Sequence, residues 1–472
     1  MTGTDLSHPE NDTIAAIATA PGAGGVGIIR ISGPKAYEIL HSMFQPGASS
    51  FRDFTPRMLH HGRLLDAQNH EADDALVVFF KGPHSFTGED CAEIQGHGGP
   101  AVLAALLDSV LSRGARMAER GEFTRRAFLN GRMDLSQAEA VAELIAAPSR
   151  EGVYLASAKL DGLLGRRVEE LRGRLEYLRQ RICLAIDFPD EEGECLPSRE
   201  FSTITEEVAS GIRTLISGYE RARSWREGAL VVLAGRVNAG KSSLMNAFLG
   251  RKRAIVTEKP GTTRDYLEEQ TSLAGLPVRL VDTAGLRDHS DDSIELEGMR
   301  RGKELAENAR CVLVVLDSAR AGGEPETLLV PFAEEARLIE EFGAGRCIAV
   351  WNKADIRPLP EDLNTFHQAT LLPVCARSGE GIDRLAEAVR ALCLQGELPQ
   401  EGDLAPNLRQ TNQLRQALDA LDALQKAIAL DVPPDLCSIH LETACAHLSD
   451  ITGLNSTEET LNAIFSTFCI GK

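Results

Sequence analysis

The sequence predicts a multidomain protein: an α+β N-terminal domain, a discontinuous all-α helical domain, and an α/β domain inserted between the two helical stretches. Three observations predict it. At 472 residues the chain is too long for a single core. From about Asp134 the apolar residues take up helical spacing, and that spacing returns towards the other end after an interval of a different kind. Within the interval, a continuous apolar run leads at once into a glycine-rich loop and then a helix-forming run, the context a P-loop requires.

Each part has its own signal. Residues 13–130 mix short apolar runs with glycine clusters; Ile14–Thr19, Gly27–Ile31 and Ala75–Phe80 read as strands, and Ala101–Leu111 as a helix. Leu164, Val168, Leu171, Leu175, Leu178 and Ile182 then recur at spacings of three and four, and Ile204, Val208, Ile212 and Leu215 form a second stripe. The acidic, proline-containing stretch 187–194 separates the two. Leu414, Leu418, Leu421, Leu424 and Ile428 make a third stripe, with Leu436–Leu448 and Thr457–Phe468 as further helices. One helical domain drawn from both stretches buries these stripes; two independent helical hairpins are the plainer alternative. The domain limits on this reading are 1–132, 133–227, 228–392 and 393–472.

Composition narrows the class. With 43% hydrophobic and 25% charged residues, the chain has the make-up of a globular protein, and no window reaches the ~18 apolar residues that span a bilayer. Met1 to Asp12 carries acids and no basic region, so it does not read as a signal peptide, and a cytoplasmic protein with no membrane association is expected. A formal net charge of −19 argues against broad, sequence-independent binding to nucleic acid. The ten cysteines include no C-x-x-C pair and read as small buried hydrophobes in a reducing compartment, with Cys469 the exception.

The inserted interval carries the chemistry. Leu230–Ala234 reads as a strand buried on both faces, followed by Gly235-Arg236-Val237-Asn238-Ala239-Gly240-Lys241-Ser242 and the helical run Ser243–Leu249. Glycines at these positions let backbone N–H groups converge on phosphate oxygens; Lys241 neutralises β- and γ-phosphate charge and the Ser242 hydroxyl binds Mg²⁺. Thr263, in Gly261-Thr262-Thr263-Arg264-Asp265, is placed to complete the Mg²⁺ shell. Val278–Val281 ends in Asp282-Thr283-Ala284-Gly285, where Asp282 holds Mg²⁺ through water and the Gly285 N–H meets the γ-phosphate. Cys347–Trp351 leads into Asn352-Lys353-Ala354-Asp355, and Cys375-Ala376-Arg377 stands in the place of the base-contact loop. The Asp355 carboxylate can accept from guanine N1–H and the exocyclic amine together, which adenine cannot offer, so the domain selects GTP. The ordered series makes this a Ras-like α/β P-loop GTPase domain. The residue after the Asp-x-x-Gly turn is Leu286, which cannot orient water; Asp288, Asp291, Asp292, Glu295 and Glu297 are the acids that follow.

Beyond this domain the chain resembles the MnmE (TrmE) family of tRNA-modifying GTPases. The resemblance is carried by Pro21–Gly33, by Phe86-Thr87-Gly88-Glu89-Asp90 with Glu93–Gly99, and by Gly121-Glu122-Phe123-Thr124 with Arg126–Gly131. Asp187–Glu192 and the ending Phe468-Cys469-Ile470-Gly471-Lys472 carry it further. It implies a homodimer joined through the N-terminal domain, which binds formyl- or methylene-tetrahydrofolate through Arg30, Glu93, Arg132 and Lys472. Taken alone, those four residues read as surface ion pairs. It implies K⁺ held by Asn238 and by a loop that includes Thr257, Lys259 and Thr262, and a water-orienting glutamate that aligns with Glu295 after a one-residue insertion. It places Cys469 near the folate as a candidate catalytic residue; a buried structural cysteine and a poor prenylation box are the other readings. Cys375 replaces the family's usual serine, Val237 stands where many relatives have proline, and Ala23 where many have arginine.

Asn238, Ala239, Gly240, Lys241, Ser242, Ser243, Thr257, Thr262, Thr263, Asp282, Thr283, Ala284 and Gly285 are the expected phosphate-side residues, and Asn352, Lys353, Asp355, Cys375, Ala376 and Arg377 the base-side ones. The implied activity is installation of an aminomethyl or carboxymethylaminomethyl group at C5 of the wobble uridine of certain tRNAs, with an FAD-containing, MnmG-like partner. The rival reading is a GTP-dependent switch or ribosome assembly factor, which the GTPase domain alone fits equally well; folate binding discriminates the two.

Overall fold

The computed structural model describes residues 12–187, 198–251, 268–282, 304–324, 327–394, 403–430 and 432–472. The first stretch contains β1 (Ile14–Ile17), β2 (Gly24–Ser32), α1 (Ala36–Met43), β3 (Phe44–Pro46), β4 (His60–Leu65), β5 (Glu71–Phe80), β6 (Cys91–Gly98), α2 (Pro100–Ser112), β7 (Arg116–Met117) and α3 (Glu122–Leu129). Its sheet runs β3-β4-β5-β6-β2-β1-β7, antiparallel except for the β1–β7 pair. Alternation along the strands puts Ile29, Ile31, Val77, Phe79, Ala92 and Ile94 into one core with Ile39, Leu40, Leu103 and Leu106 of α1 and α2.

Four helices follow: α4 (Leu135–Ala146), α5 (Arg150–Leu160), α6 (Leu163–Asp187) and α7 (Ser198–Glu227). The next sheet is built from β8 (Ala229–Ala234), β9 (Glu268–Leu273), β10 (Leu276–Asp282), β11 (Cys311–Asp317), β12 (Cys347–Asn352), β13 (Thr365–Phe366) and β14 (Ala369–Val374), with α8 (Lys241–Arg251), α9 (Ala333–Phe342) and α10 (Ile382–Leu394) between and after them. Its order is β13-β14-β12-β11-β8-β10-β9; the five inner strands are parallel and the two edge strands antiparallel. The inner runs are largely apolar because both faces are covered, one by Leu244, Phe248, Leu385 and Val389, the other by Phe332, Ala336 and Ile339. The chain closes with α11 (Leu408–Ala429), α12 (Pro434–Thr452) and α13 (Glu458–Phe465).

Two compact units result. One combines Met1–Ala142, Lys159–Gly211 and Asn412–Lys472; the other combines Glu143–Ala158 and Ile212–Thr411. In the first, the α6 stripe from Leu164 to Ile182 is buried and α6 packs along α12, so helices from before and after the insert share a unit instead of forming two separate hairpins. Val208, Ile212, Leu215, Leu414, Leu421 and Leu424 are buried as their spacing predicts, with Ile204, Leu418 and Ile428 only half-buried. Among the described residues no helix is long and apolar enough to cross a membrane.

The N-terminal sheet has four more strands than the three read from the sequence. β6 was hidden because its outward positions are Glu93, Gln95 and His97 and two of its other positions are glycines. β4 carries little apolar residue, β3 spans three residues and β7 two.

Candidate functional sites

β8 delivers the chain into the P-loop through a conformation that favours glycine. Gly235 and Gly240 have φ of +130° and +97°. A Cβ at Gly240 would lie 2.2 Å from Asn352 Nδ2, and one at Gly235 2.6 Å from the Val315 carbonyl oxygen. The Lys241 ammonium donates to the carbonyls of Gly235 and Arg236, both at 2.9 Å. Ser242, at the start of α8, donates its hydroxyl to Asp282 Oδ2 at 2.8 Å. A hydroxyl beside a buried carboxylate at the P-loop mouth is a hard-oxygen donor set of the kind that suits Mg²⁺.

The base-side residues are tied to this loop. Asn352, 1% exposed, donates through Nδ2 to the Ala239 carbonyl (2.9 Å) and accepts at Oδ1 from the Ala376 N–H (3.2 Å), so one amide joins the P-loop to the loop after β14. Lys353 has φ +60°, and its ammonium reaches the Asn238 carbonyl (3.1 Å) and Asp317 Oδ2 (2.7 Å). The Ser318 hydroxyl donates to the Lys353 carbonyl at 2.7 Å. The buried Cys375 thiol donates to Asp355 Oδ1 at 3.1 Å, while Asp355 itself is exposed. Ser242, Ser243, Asn238 and Arg377 are also exposed, and Ala239 is buried beneath them.

Asp317 and Ser318 were missed by the sequence reading; the signal was an apolar strand ending on an acid, the same pattern that singled out Asp282. Thr257, Lys259, Thr262, Thr263, Thr283, Ala284, Gly285 and Glu295 lie outside the described residues. Among the described residues no group of three or more His, Cys, Asp or Glu could hold a metal ion.

The second site belongs to the first unit. Arg30 on β2 and Glu93 on β6 are register partners, paired at 2.9 Å with side chains 17% exposed each. The ion-pair reading of these two residues is therefore met, but in a half-buried setting. The Arg30 guanidinium lies 5.4 Å from the Phe86 ring centroid and 5.9 Å from that of Phe123, and it approaches the Gly471 carbonyl at 3.5 Å. Gly471 has φ +89°, and a Cβ there would sit 2.5 Å from the Ile17 carbonyl oxygen. Ile470 bridges Arg120, and the Gly121 N–H donates to the Cys469 carbonyl at 3.3 Å; the Cys469 side chain is exposed. Burial, and then the charge of Arg30, lower the Lys472 ammonium pKa, with Glu93 and Cys469 opposing. Arg132 is exposed, and its stem lies against Gly88, two residues from Phe86. Arg30, Glu93 and Lys472 are thus brought together, with Cys469 three residues before Lys472. A carboxylate, two cations and an aromatic ring form a set that a flat heterocycle with an amino edge and carboxylates can use.

Other signature residues hold the scaffold. Arg126 of α3 pairs with Asp12 (2.6 Å), Glu122 (2.9 Å) and Glu89 (3.2 Å), and Arg116 pairs with Asp12 and Glu122, both at 2.6 Å. Ser32 donates to Glu89 Oε2 at 2.7 Å. Burial raises the Glu122 carboxyl pKa, but hydrogen bonds from Arg116, the Glu119 N–H and Arg126 outweigh it and bring the group down to about 2. The described cysteines are free thiols, most of them buried, and burial lifts Cys445 to about 11.

Comparison with known proteins extends along the whole chain. A family model described as the MnmE helical domain matches residues 135–469, and one described as the GTP-binding protein TrmE N-terminus matches residues 13–132. The protein named tRNA modification GTPase MnmE from Nitratidesulfovibrio vulgaris (strain Hildenborough) is 52% identical over 469 residues, covering 98% of this chain and 99% of its own. Its namesake from Lawsonia intracellularis is 47% identical, covering 98% and 100%. That from Clostridioides difficile is 37% identical, covering 98% and 99%.

Proposed function

The chain belongs to the MnmE (TrmE) family, and from that premise we propose that it is a tRNA modification GTPase. It binds GTP at the P-loop of β8 and α8 and hydrolyses it to GDP and phosphate in the course of modifying tRNA. The observation that carries the GTP reading is the Asn352 amide, which locks the phosphate loop to the loop beside the base-reading Asp355. Backbone N–H groups of residues 238–243 cradle the phosphates, and Lys241 moves from loop carbonyls to phosphate oxygens. Asp355 reads the guanine edge, and Lys353 braces the P-loop from below through Asn238.

The finer reading is as follows. Ser242 and Thr263 hold Mg²⁺, with Asp282 behind them; the exposed Asn238 holds K⁺ together with the loop of Thr257, Lys259 and Thr262; Glu295 orients the attacking water. Bound there, the two cations neutralise charge that develops on the transferring phosphoryl group. Arg30, Glu93, Arg132 and Lys472 bind a formyl- or methylene-tetrahydrofolate, and Cys469 stands beside it as the candidate for covalent chemistry at the uridine. The protein is a cytoplasmic homodimer through the N-terminal domain 1–132, with the helical domain in two parts, 133–227 and 393–472, around the GTPase domain 228–392. With an FAD-dependent MnmG-like partner it adds an aminomethyl or carboxymethylaminomethyl group at C5 of the wobble uridine.

The test is reconstitution of the purified protein with such a partner, GTP, a tetrahydrofolate and unmodified tRNA, in KCl and in NaCl at equal ionic strength. Wobble-uridine modification in KCl, with much slower GTP hydrolysis in NaCl, is expected. Hydrolysis without modification under any folate supply would return the protein to the GTP-dependent switch reading.

A further inference from the structure

Among the described non-glycine residues with left-handed backbone, Asn69, Ala274, His367 and Gln368 sit in the turns of β-hairpins, where that conformation is ordinary. Asn238 and Lys353, at φ +64° and +60°, sit in no hairpin. They belong to the two nucleotide motifs and are bonded to each other, the Lys353 ammonium donating to the Asn238 carbonyl at 3.1 Å. Left-handed backbone costs a lysine free energy and persists only where its surroundings hold it. Side chains alternate in direction along an extended strand, yet the consecutive residues Asn352 and Lys353, where β12 ends, bond consecutive carbonyls of the P-loop, those of Ala239 and Asn238. The left-handed turn at Lys353 breaks the alternation and lets both side chains reach one loop.

The hold on Lys353 comes from the end of β11. Asp317 is the register partner of Asn352; it accepts from the Lys353 ammonium at Oδ2 (2.7 Å) and from the Ala319 N–H at Oδ1 (3.1 Å). The Asp317 side chain is 12% exposed and that of Lys353 32%. Ser318 is fully buried and donates its hydroxyl to the Lys353 carbonyl at 2.7 Å. One residue therefore grips the ammonium of Lys353, and the next grips its carbonyl. Further on, Arg357 donates to the carbonyls of Ala321 (2.8 Å) and Gly323 (3.1 Å), so the segment after β11 is laced along the turn that carries Asp355.

We propose that Asp317 and Ser318 are positioning residues for guanine recognition. They hold Lys353 in the left-handed conformation from which its ammonium ties down the phosphate loop, and so fix the turn that presents Asp355 two residues on. This rests on the GTP reading above, in which Asp355 accepts from the guanine N1–H and the exocyclic amine. A lysine side chain ordered before the nucleotide arrives loses less entropy when it does. A carboxylate held in place makes both base contacts at once, whereas one left to wander keeps a single contact more readily than a pair. The bracket around Lys353 therefore sets selectivity as well as affinity.

The test is equilibrium binding of GDP and inosine diphosphate to the full-length protein; the inosine base keeps the N1–H and lacks the exocyclic amine. The wild type should favour GDP. Asp317→Asn and Ser318→Ala should each weaken GDP roughly five- to tenfold and inosine diphosphate roughly twofold, the scale of one lost supporting hydrogen bond, so that the preference narrows. Ser318→Thr, which keeps the hydroxyl, should retain most of the preference. Ser318→Ala removes a single oxygen atom, so the test stands even where Asp317→Asn does not fold. A variant that merely loosens the fold weakens both nucleotides by the same factor; that result, or no change in either, overturns the positioning role while leaving Asp355 as the reader of the base. A wild-type protein that binds the two nucleotides equally overturns base reading by Asp355, and the proposal with it.

Discussion

The nucleotide site and the Arg30–Glu93 site are built by opposite means. In the first, short contiguous motifs do the work, and backbone atoms accept or donate in many of the bonds that hold them: Asn352 to the Ala239 carbonyl and from the Ala376 N–H, Lys353 to the Asn238 carbonyl, and Lys241 to Gly235 and Arg236 within the P-loop. In the second, single side chains from β2, β6 and the segment after α13 meet, and scarcely any two are neighbours in sequence. The converging N–H groups that cradle a phosphate here come from one contiguous loop and the helix it opens. A planar ligand read by a few side chains needs no such loop, so its site can be dispersed.

This contrast can be broken or sharpened by experiment. The largest effect should come from the residue that reads the base. Asp355→Asn replaces two acceptors with one acceptor and one donor, and the preference for GTP over xanthosine triphosphate should reverse by a factor on the order of 10⁴; competition binding measures it, and an unchanged preference would remove Asp355 from base recognition. Next, Glu295→Ala should lower kcat by roughly 10²–10⁴ with KM little changed, the mark of an interaction made in the transition state. Single-turnover hydrolysis is the assay, with Glu297→Ala as a mild control; reversed severities would misplace the one-residue insertion.

A change in the scaffold of the second site should leave the first untouched. Glu122→Gln strips the half-buried Arg116 and Arg126 of a shared buried carboxylate and should cost about 3 kcal/mol in stability, with GTP affinity unaltered. The Glu122 pKa is depressed in the folded protein, so its contribution is complete above the ordinary carboxyl range and is lost as pH falls from about 4.5 towards about 2. Acid unfolding should steepen through that window in the wild type and flatten in the variant. The smallest effect tests a side-chain bond inside the loop-built site. Cys375→Ala leaves Asp355 without its thiol donor and should weaken GTP roughly three- to tenfold, with Cys375→Ser restoring it; isothermal titration would show whether the thiol orients the base-reading carboxylate or merely fills space.

Much of the nucleotide site was legible because its residues are adjacent and each motif sits on a strand whose apolar run announces it. The supports of those motifs were not. Asp317 looks like any strand-end acid until Lys353 is seen on it, and Cys375 was read only as a substitute in a loop that works through N–H groups. The helical stripes were legible from their period, and the burial of Leu164 to Ile182 follows it closely. The N-terminal sheet was half legible, because an exposed face filled with Arg30, Glu93 and Gln95 erases the apolar signal on one side of each strand. Of the Asp12–Arg116–Glu122–Arg126 network only the i,i+4 pair of Glu122 and Arg126 follows a spacing rule; Arg126 and Asp12 stand 114 positions apart, and no such rule links them.

Gly471 meets Arg30 from 441 positions away. At the roughly 5–20 residues per second of protein synthesis, about 20–90 seconds separate the appearance of the two. During that time the P-loop, its strands and both base-side motifs have all left the ribosome. The newborn chain therefore passes through a stage in which nucleotide can be gripped while the Arg30 pocket still lacks its final wall. The leucine and alanine of α4 that later cover Phe465 and Phe468 stay bare until the same moment. Quality control that samples nascent chains would find its target on that surface for the roughly 17–66 seconds that separate the synthesis of Leu135 from that of Phe465.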